Sequence, residues 1–185
     1  MRKLILLAAI LFLCIGACLA DKPYDNIELT LPRDIFNFHI VDPGVMRGSQ
    51  PSAKTLKALK EYYGVKTVLS LHNDVAVNKW EQRVVEELGM EFINIPLDAS
   101  LEQKPQTIEQ AIEILGNKDN QPIFAHCKEG KDRTGLILAA YRIKYDNWSQ
   151  EEALMEMHAY GYNPLRYPNL KDSLSYWDDW RKGRI

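Results

Sequence analysis

Residues 121–142, QPIFAHCKEGKDRTGLILAAYR, constrain this chain more than any other stretch. Residues 121–127 are mostly apolar and carry β-branched and aromatic side chains, the composition of a strand buried on both faces. From Thr134 the pattern is that of an apolar helix, expected to run to Tyr145. Between them charges of both signs surround Gly130, where a tight loop calls for a positive φ. A strand that turns through a short charged loop straight into an apolar helix is the βα half of a βαβ unit. Such units build parallel sheets, and ligands gather at the carboxyl ends of their strands.

The remaining pattern agrees. Short extended pieces are expected near Phe38–Val41 and Val45–Arg47, joined by the turn sequence Asp42-Pro43-Gly44. Ser52 caps a helix that runs through Tyr63 and stops at Gly64. Residues 65–72, VKTVLSLH, read as a buried strand, and VNKWEQRVVEELG as an amphipathic helix ending at Gly89. MEFINIPL is a further strand. Pro105 opens a helix through Gly116. Ser149 and Glu152 form a capping box for one helix. A last helix spans residues 169–181, with Leu170, Leu174, Trp177 and Trp180 on its apolar face. The expected fold class is α/β, a small, mostly parallel central sheet flanked by helices.

The first twenty residues, MRKLILLAAILFLCIGACLA, stand apart. Two basic residues, an unbroken apolar run and small residues make a secretory signal, too short for an ordinary span. Ile15-Gly16-Ala17-Cys18 resembles the lipobox of bacterial lipoproteins, which would make Cys18 the lipidated first residue; cleavage after Ala20 is the alternative. Residues 21–35 read as a lead-in and 36–182 as one domain. Export implies a periplasmic or membrane-anchored protein, touching the membrane only through that anchor. Without Arg2 and Lys3 the chain holds 21 basic against 25 acidic residues, which suggests no nucleic-acid partner. A monomer is expected. Once Cys14 and Cys18 are set aside, Cys127 is the sole thiol, so no disulfide framework exists. A solitary thiol in an oxidising compartment has no internal partner to trap it.

Cys127 and Arg133 are separated by five residues, with Gly130 between them and a helix beginning directly after. Backbone N–H groups in such a loop turn inward, and the helix start adds partial positive charge. The result suits a tetrahedral oxyanion, and the Arg133 guanidinium offers a fork for two of its oxygens. The same field favours the thiolate of Cys127, and the Thr134 hydroxyl is placed to hydrogen-bond its sulfur. A thiolate beside a bound phosphate can attack phosphorus, giving a phosphocysteine that water hydrolyses. This chemistry needs no cofactor and no metal.

HCKEGKDRTG resembles the H-C-x5-R-[ST] signature of cysteine-dependent protein tyrosine phosphatases. VMRGSQPS, followed by a helix and GVKTVLSL, resembles the start of the atypical dual-specificity branch of bacteria, plants and fungi. The likeness covers residues 36–160 and implies a dual-specificity phosphatase-like fold. It also implies hydrolysis of phosphate monoesters, phosphotyrosine and phosphoserine or phosphothreonine in proteins. The family's general acid is an aspartate on a loop about thirty residues before the cysteine, and Asp98, 29 residues upstream, fits. The usual W-P-D is absent and IPLD stands in its place; capping a turn is the alternative role for Asp98. Asp132, inside the loop, is the alternative acid, or else a charge at the helix start.

Lys128, Glu129, Gly130, Lys131 and Asp132 complete the phosphate-binding loop. Lysines there also occur in related phosphoinositide and inositol polyphosphate phosphatases, which keeps phosphorylated lipids and small molecules open as substrates, although Glu129 opposes polyanions. His126, on the strand side, is expected to support the loop by hydrogen bonding, and Arg47 to form a structural ion pair. A phosphate-binding module without turnover, and a sulfurtransferase or arsenate reductase, are the competing classes.

Overall fold

The computed structural model describes residues 35–185. The expected secretion signal, Cys14, Cys18 and nearly all of the expected lead-in lie outside the described residues. Five strands form one sheet in the order β1-β2-β5-β3-β4: β1 His39–Asp42, β2 Val45–Gly48, β3 Thr67–Ser70, β4 Glu91–Asn94 and β5 Ile123–His126. Only the β1–β2 hairpin is antiparallel; β2, β5, β3 and β4 run parallel.

Helices cover both faces. On one side α1 (Ala53–Tyr63) and α2 (Val75–Glu87) pack Leu56, Leu59, Tyr63 and Val85 against Met46, Val68 and Phe124. On the other, α3 (Pro105–Gly116), α4 (Asp132–Tyr145), α5 (Gln150–Ala159) and α6 (Asn169–Arg181) bury Ile108, Ile112, Leu136, Leu138, Ala153, Leu170, Leu174 and Trp177 against Val45, Leu69, Ile123 and Ala125. Successive strand residues face opposite sides. Along β5, Ile123 and Ala125 therefore look to α4, while Phe124 and His126 look to α1 and α2. The stacked rings of Phe124 and His126, with centroids 5.5 Å apart, mark that second row.

Several boundaries differ from the sequence reading. α2 begins two residues before Val77, because the Asp74 carboxylate caps the N–H groups of Ala76 and Val77. α4 likewise starts at Asp132 rather than Thr134, which puts Arg133 inside the first helical turn. α4 is also buried on nearly every side, being wrapped by α3, α5 and α6. Trp180 is only partly buried at the edge of the α6 face.

Candidate active site

β5 lies between β2 and β3, and His126, its last residue, pairs with Gly48 and Ser70. The chain then leaves the sheet at Cys127, bends over residues 128–131 and enters α4. Gly130 makes the bend with φ +68°, and a Cβ there would lie 2.5 Å from the carbonyl carbon and oxygen of Gly48. Backbone strain and backbone collision together leave only glycine at this position.

Each of the four carbonyls in the bend is held from outside. The Cys127 carbonyl faces His126 Nδ1 at 3.3 Å. The Lys128 carbonyl accepts from the Gln50 N–H at 3.3 Å. The Glu129 carbonyl accepts from Asn37 Nδ2 at 3.1 Å. The Gly130 carbonyl accepts from Arg47 Nη2 at 2.7 Å. A trans peptide sets its C=O and the next N–H on opposite sides of one plane. Pulling these four oxygens outward therefore turns the N–H groups of Lys128, Glu129, Gly130 and Lys131 toward the concave side. Among the described residues none of those four N–H groups has a protein acceptor. They join the unsatisfied donors at the start of α4 in a cradle whose charge and shape suit a phosphate.

Cys127 sits at the floor of the cradle with 2% of its surface exposed. The Thr134 hydroxyl, also buried, has no hydrogen-bond partner among the described residues, so the expected bond to sulfur is not formed here. Arg133 is held through one nitrogen: Nη1 donates to Asn73 Oδ1 at 2.9 Å, to the Leu97 carbonyl at 3.3 Å and, more weakly, to the Leu71 carbonyl at 3.5 Å. The Nη2–Nε edge is thereby left to face a ligand. Asn73 is itself on a braced turn, since Asn78 and Asn94 both donate to the His72 carbonyl.

Asp98 lies on the loop after β4, whose Leu97 carbonyl touches Arg133. Its carboxylate accepts from the Ser100 hydroxyl at 2.6 Å and the Ser100 N–H at 2.9 Å. These bonds, followed by the nearby Arg133 charge, hold it below the usual carboxylate range. Asp132 is the first residue of α4, and its Oδ1 accepts from the Asn163 N–H at 3.0 Å, tying the α5–α6 connection to the loop. Lys131 pairs with Glu129 at 3.0 Å, and the Lys131 contact, with the Arg166 and Lys128 charges nearby, keeps Glu129 ionised. Lys128 is exposed.

Sequence reasoning missed most of the supports. Asn37, Gln50 and Asn73 carried no local signal. Arg47 was expected in an ion pair; instead it is buried under the loop, bonded to Gly130 and stacked 4.1 Å from the Tyr160 ring centroid. Burial lowers its guanidinium to about 10, so it remains a cation at neutral pH. Beside the loop a cleft of about 820 Å³ is walled by Phe36 and Trp80 and rimmed by Gln50, Lys128, Glu129 and Lys131.

Residues 38–169 match the family described as "DSP-PTPase phosphatase fused to NAD+ Kinase". The chain belongs to this family. The matched span contains the whole sheet, the loop and α4, so the phosphatase part of that description applies here. The phosphatase is 26% identical over 181 residues to the dual specificity protein phosphatase TpbA of Pseudomonas aeruginosa, an alignment spanning 93% of this chain and 78% of the relative. Its fold is similar to the core catalytic domain of the PP-IP phosphatase SIW14 of Saccharomyces cerevisiae solved with citrate, at TM-score 0.67 and 25% identity over 81% of this chain and 90% of the other. It is also similar to a P. aeruginosa TpbA variant in complex with pTyr, at TM-score 0.63 and 23% identity over 75% and 83% of the two chains. Family membership sets aside the sulfurtransferase, arsenate reductase and non-catalytic readings. The chain is a cysteine-dependent phosphatase of the atypical dual-specificity type.

Proposed function

We propose that this phosphatase acts on phosphorylated protein side chains, phosphotyrosine foremost, with Cys127 as nucleophile. The cleft beside the loop carries this reading. Its walls are the rings of Phe36 and Trp80, and its rim has two lysines, one already paired with Glu129. The cleft is lined by Asn37, Ser49 and Gln50 and by neither Cys127 nor Arg133, so its aromatic walls suit the peptide that flanks a phosphorylated side chain rather than the leaving group itself. A rim with so little unpaired positive charge suits a single phosphate better than a polyanion. TpbA, a dual specificity protein phosphatase by name and solved with pTyr, supports the same choice. The second reading, an inositol polyphosphate substrate, is favoured by the likeness to SIW14 and by Lys128. A substrate panel separates them: kcat/KM for a phosphotyrosine peptide should exceed that for an inositol pyrophosphate by about tenfold or more, a modest difference in transition-state contacts. The opposite order would overturn the protein reading.

In this mechanism the loop N–H groups and the free edge of Arg133 bind the three non-bridging phosphate oxygens. The Cys127 thiolate forms an S–P bond as the ester P–O bond breaks. Asp98 gives the departing oxygen its proton, and its carboxylate then takes a proton from the water that cleaves the S–P bond. Because Asp98 is depressed in the free protein, its protonated form grows as pH falls. A bound phosphate dianion opposes that depression, since added negative charge favours the neutral carboxyl. Asparagine at position 98 keeps an oxygen for Ser100 and loses only the acid. Asp98→Asn should therefore slow aliphatic phosphate esters on the order of 10²-fold while sparing p-nitrophenyl phosphate, whose leaving group departs unprotonated. Equal losses for good and poor leaving groups would remove Asp98 from the acid role and leave Asp132 to be tested.

A further inference from the structure

Behind the loop, on the α1–α2 face of the sheet, lies an ionisable pair that the phosphate does not touch. Glu81 of α2 and His126 of β5 are both completely buried, with Oε1 2.9 Å from Nε2. Neither Glu81 oxygen nor His126 Nε2 makes an aligned hydrogen bond to any described group, so each ion-pair partner answers chiefly to the other. The opposite ring nitrogen, Nδ1, faces the Cys127 carbonyl at 3.3 Å. A carbonyl oxygen can only accept, so Nδ1 carries a hydrogen. The Glu81 carboxylate meets Nε2 at 2.9 Å, and although the contact is not aligned as a hydrogen bond, its negative charge favours a second proton on the ring. An unpaired carboxylate in this setting would be very unfavourable, which makes that proton part of the folded structure.

We infer that Glu81 is a positioning residue for the catalytic thiolate. Through His126 it acts in two ways. It fixes the ring so that Nδ1–H keeps the Cys127 carbonyl turned outward, which aims the Lys128 N–H into the cradle. Its carboxylate also favours a positively charged ring one residue from the sulfur, where positive charge favours the thiolate.

The other charged and titratable groups around the pair do not take over this part. His72, at the end of β3, is held below the usual imidazole range first by burial and then by Arg133 and His126. Its Nδ1 accepts the Asp74 N–H at 3.0 Å, so it is neutral and offers Glu81 no charge. Arg47 of β2 donates to the Gly130 carbonyl, and Arg133 of α4 to Asn73 and Leu97. Asp74, ahead of α2, spends its carboxylate on capping that helix.

The inference rests on Cys127 being the nucleophile, which Cys127→Ser tests separately. Its own test is the pH dependence of alkylation by iodoacetamide, followed at Cys127 on the purified protein beside kcat/KM for p-nitrophenyl phosphate. In Glu81→Gln the side chain keeps its size but loses the negative charge that favours a protonated ring. The alkylation inflection and the acid limb of kcat/KM should both move up by about one pH unit. Activity should fall about tenfold at pH 5.5, with the loss shrinking above pH 7. A variant that melts earlier but keeps the wild-type inflection would show a purely structural role and overturn the proposal. Should the variant fail to fold, nitrogen-15 NMR of wild-type His126 decides. Protons on both ring nitrogens through neutral pH support the proposal; an unprotonated Nδ1, or a ring titrating like an exposed histidine, overturns it.

Discussion

Cys127→Ser should bind phosphorylated substrate and release no phosphate from it, a loss on the order of 10⁴-fold or more. The expectation follows from the acidity of the two groups. A thiol starts with a pKa of about 8.5, and cradles of inward amides with cationic neighbours lower it by several units. Here the loop after Cys127 carries four N–H groups with no protein acceptor among the described residues and leads straight into α4, with Arg133 in its first turn. A serine hydroxyl begins far less acidic, so the same field leaves it protonated and a poor nucleophile. The cradle itself does not depend on sulfur, because its amides are aimed by Gln50, Asn37, Arg47 and His126 from outside. The variant should therefore still hold a phosphotyrosine peptide and act as a substrate trap. The assay is release of p-nitrophenol from p-nitrophenyl phosphate by the purified protein, run with and without chelator, with circular dichroism confirming the fold. Turnover that survives the substitution, or that vanishes with chelator in the wild type, would mean that the nucleophile is not this cysteine.

The parts of the site legible in the sequence are contiguous ones. Cys127, Gly130 and Arg133 lie within seven positions, so their spacing alone specifies a loop that can wrap an anion. Asp98 was legible as a position, the end of a strand at the same sheet edge, and less so as a state. Its engagement with Ser100 is the turn cap that an aspartate at this place also suits, and spacing does not separate that role from the acid's. The supports were hidden for a different reason. Asn37, Arg47 and Gln50 meet the loop only because β2 lies beside β5, and no periodicity states that neighbour relation. Glu81 stands in a charged helix where solvent is the default partner for a carboxylate. What could have exposed it is the alternation along β5, which turns His126 with Phe124 toward α2 and asks what buried group answers an imidazole there. The start of α4 was placed two residues late because charged residues read as loop; in the fold they are the helix's first turn, and Asp132 serves there by holding Asn163.

That shift of the helix start bears on Arg133→Lys, for which kcat should fall on the order of 10²–10³-fold, equivalent to about 3–4 kcal/mol of transition-state stabilisation. As a helical residue Arg133 has a backbone fixed by α4, and its guanidinium is divided by its contacts. Nη1 is engaged by Asn73, Leu97 and Leu71, and among the described residues the Nη2–Nε edge has no protein acceptor. A lysine cannot be divided in this way. Its ammonium is one point charge, able to satisfy the carbonyls or the phosphate but not to hold a rigid fork toward both. The penalty should fall mainly on kcat, because two parallel hydrogen bonds gain most when charge spreads over the equatorial oxygens in the transition state. Inorganic phosphate, which resembles the ground state, should lose only about tenfold in affinity, the value of retaining charge while losing geometry. Thermal stability should change little, since Arg133 sits at the mouth of the site rather than in the core. A variant that loses kcat and phosphate affinity in equal measure would show Arg133 to be a binding charge alone. One that keeps kcat within a factor of about three would remove the fork from the mechanism altogether.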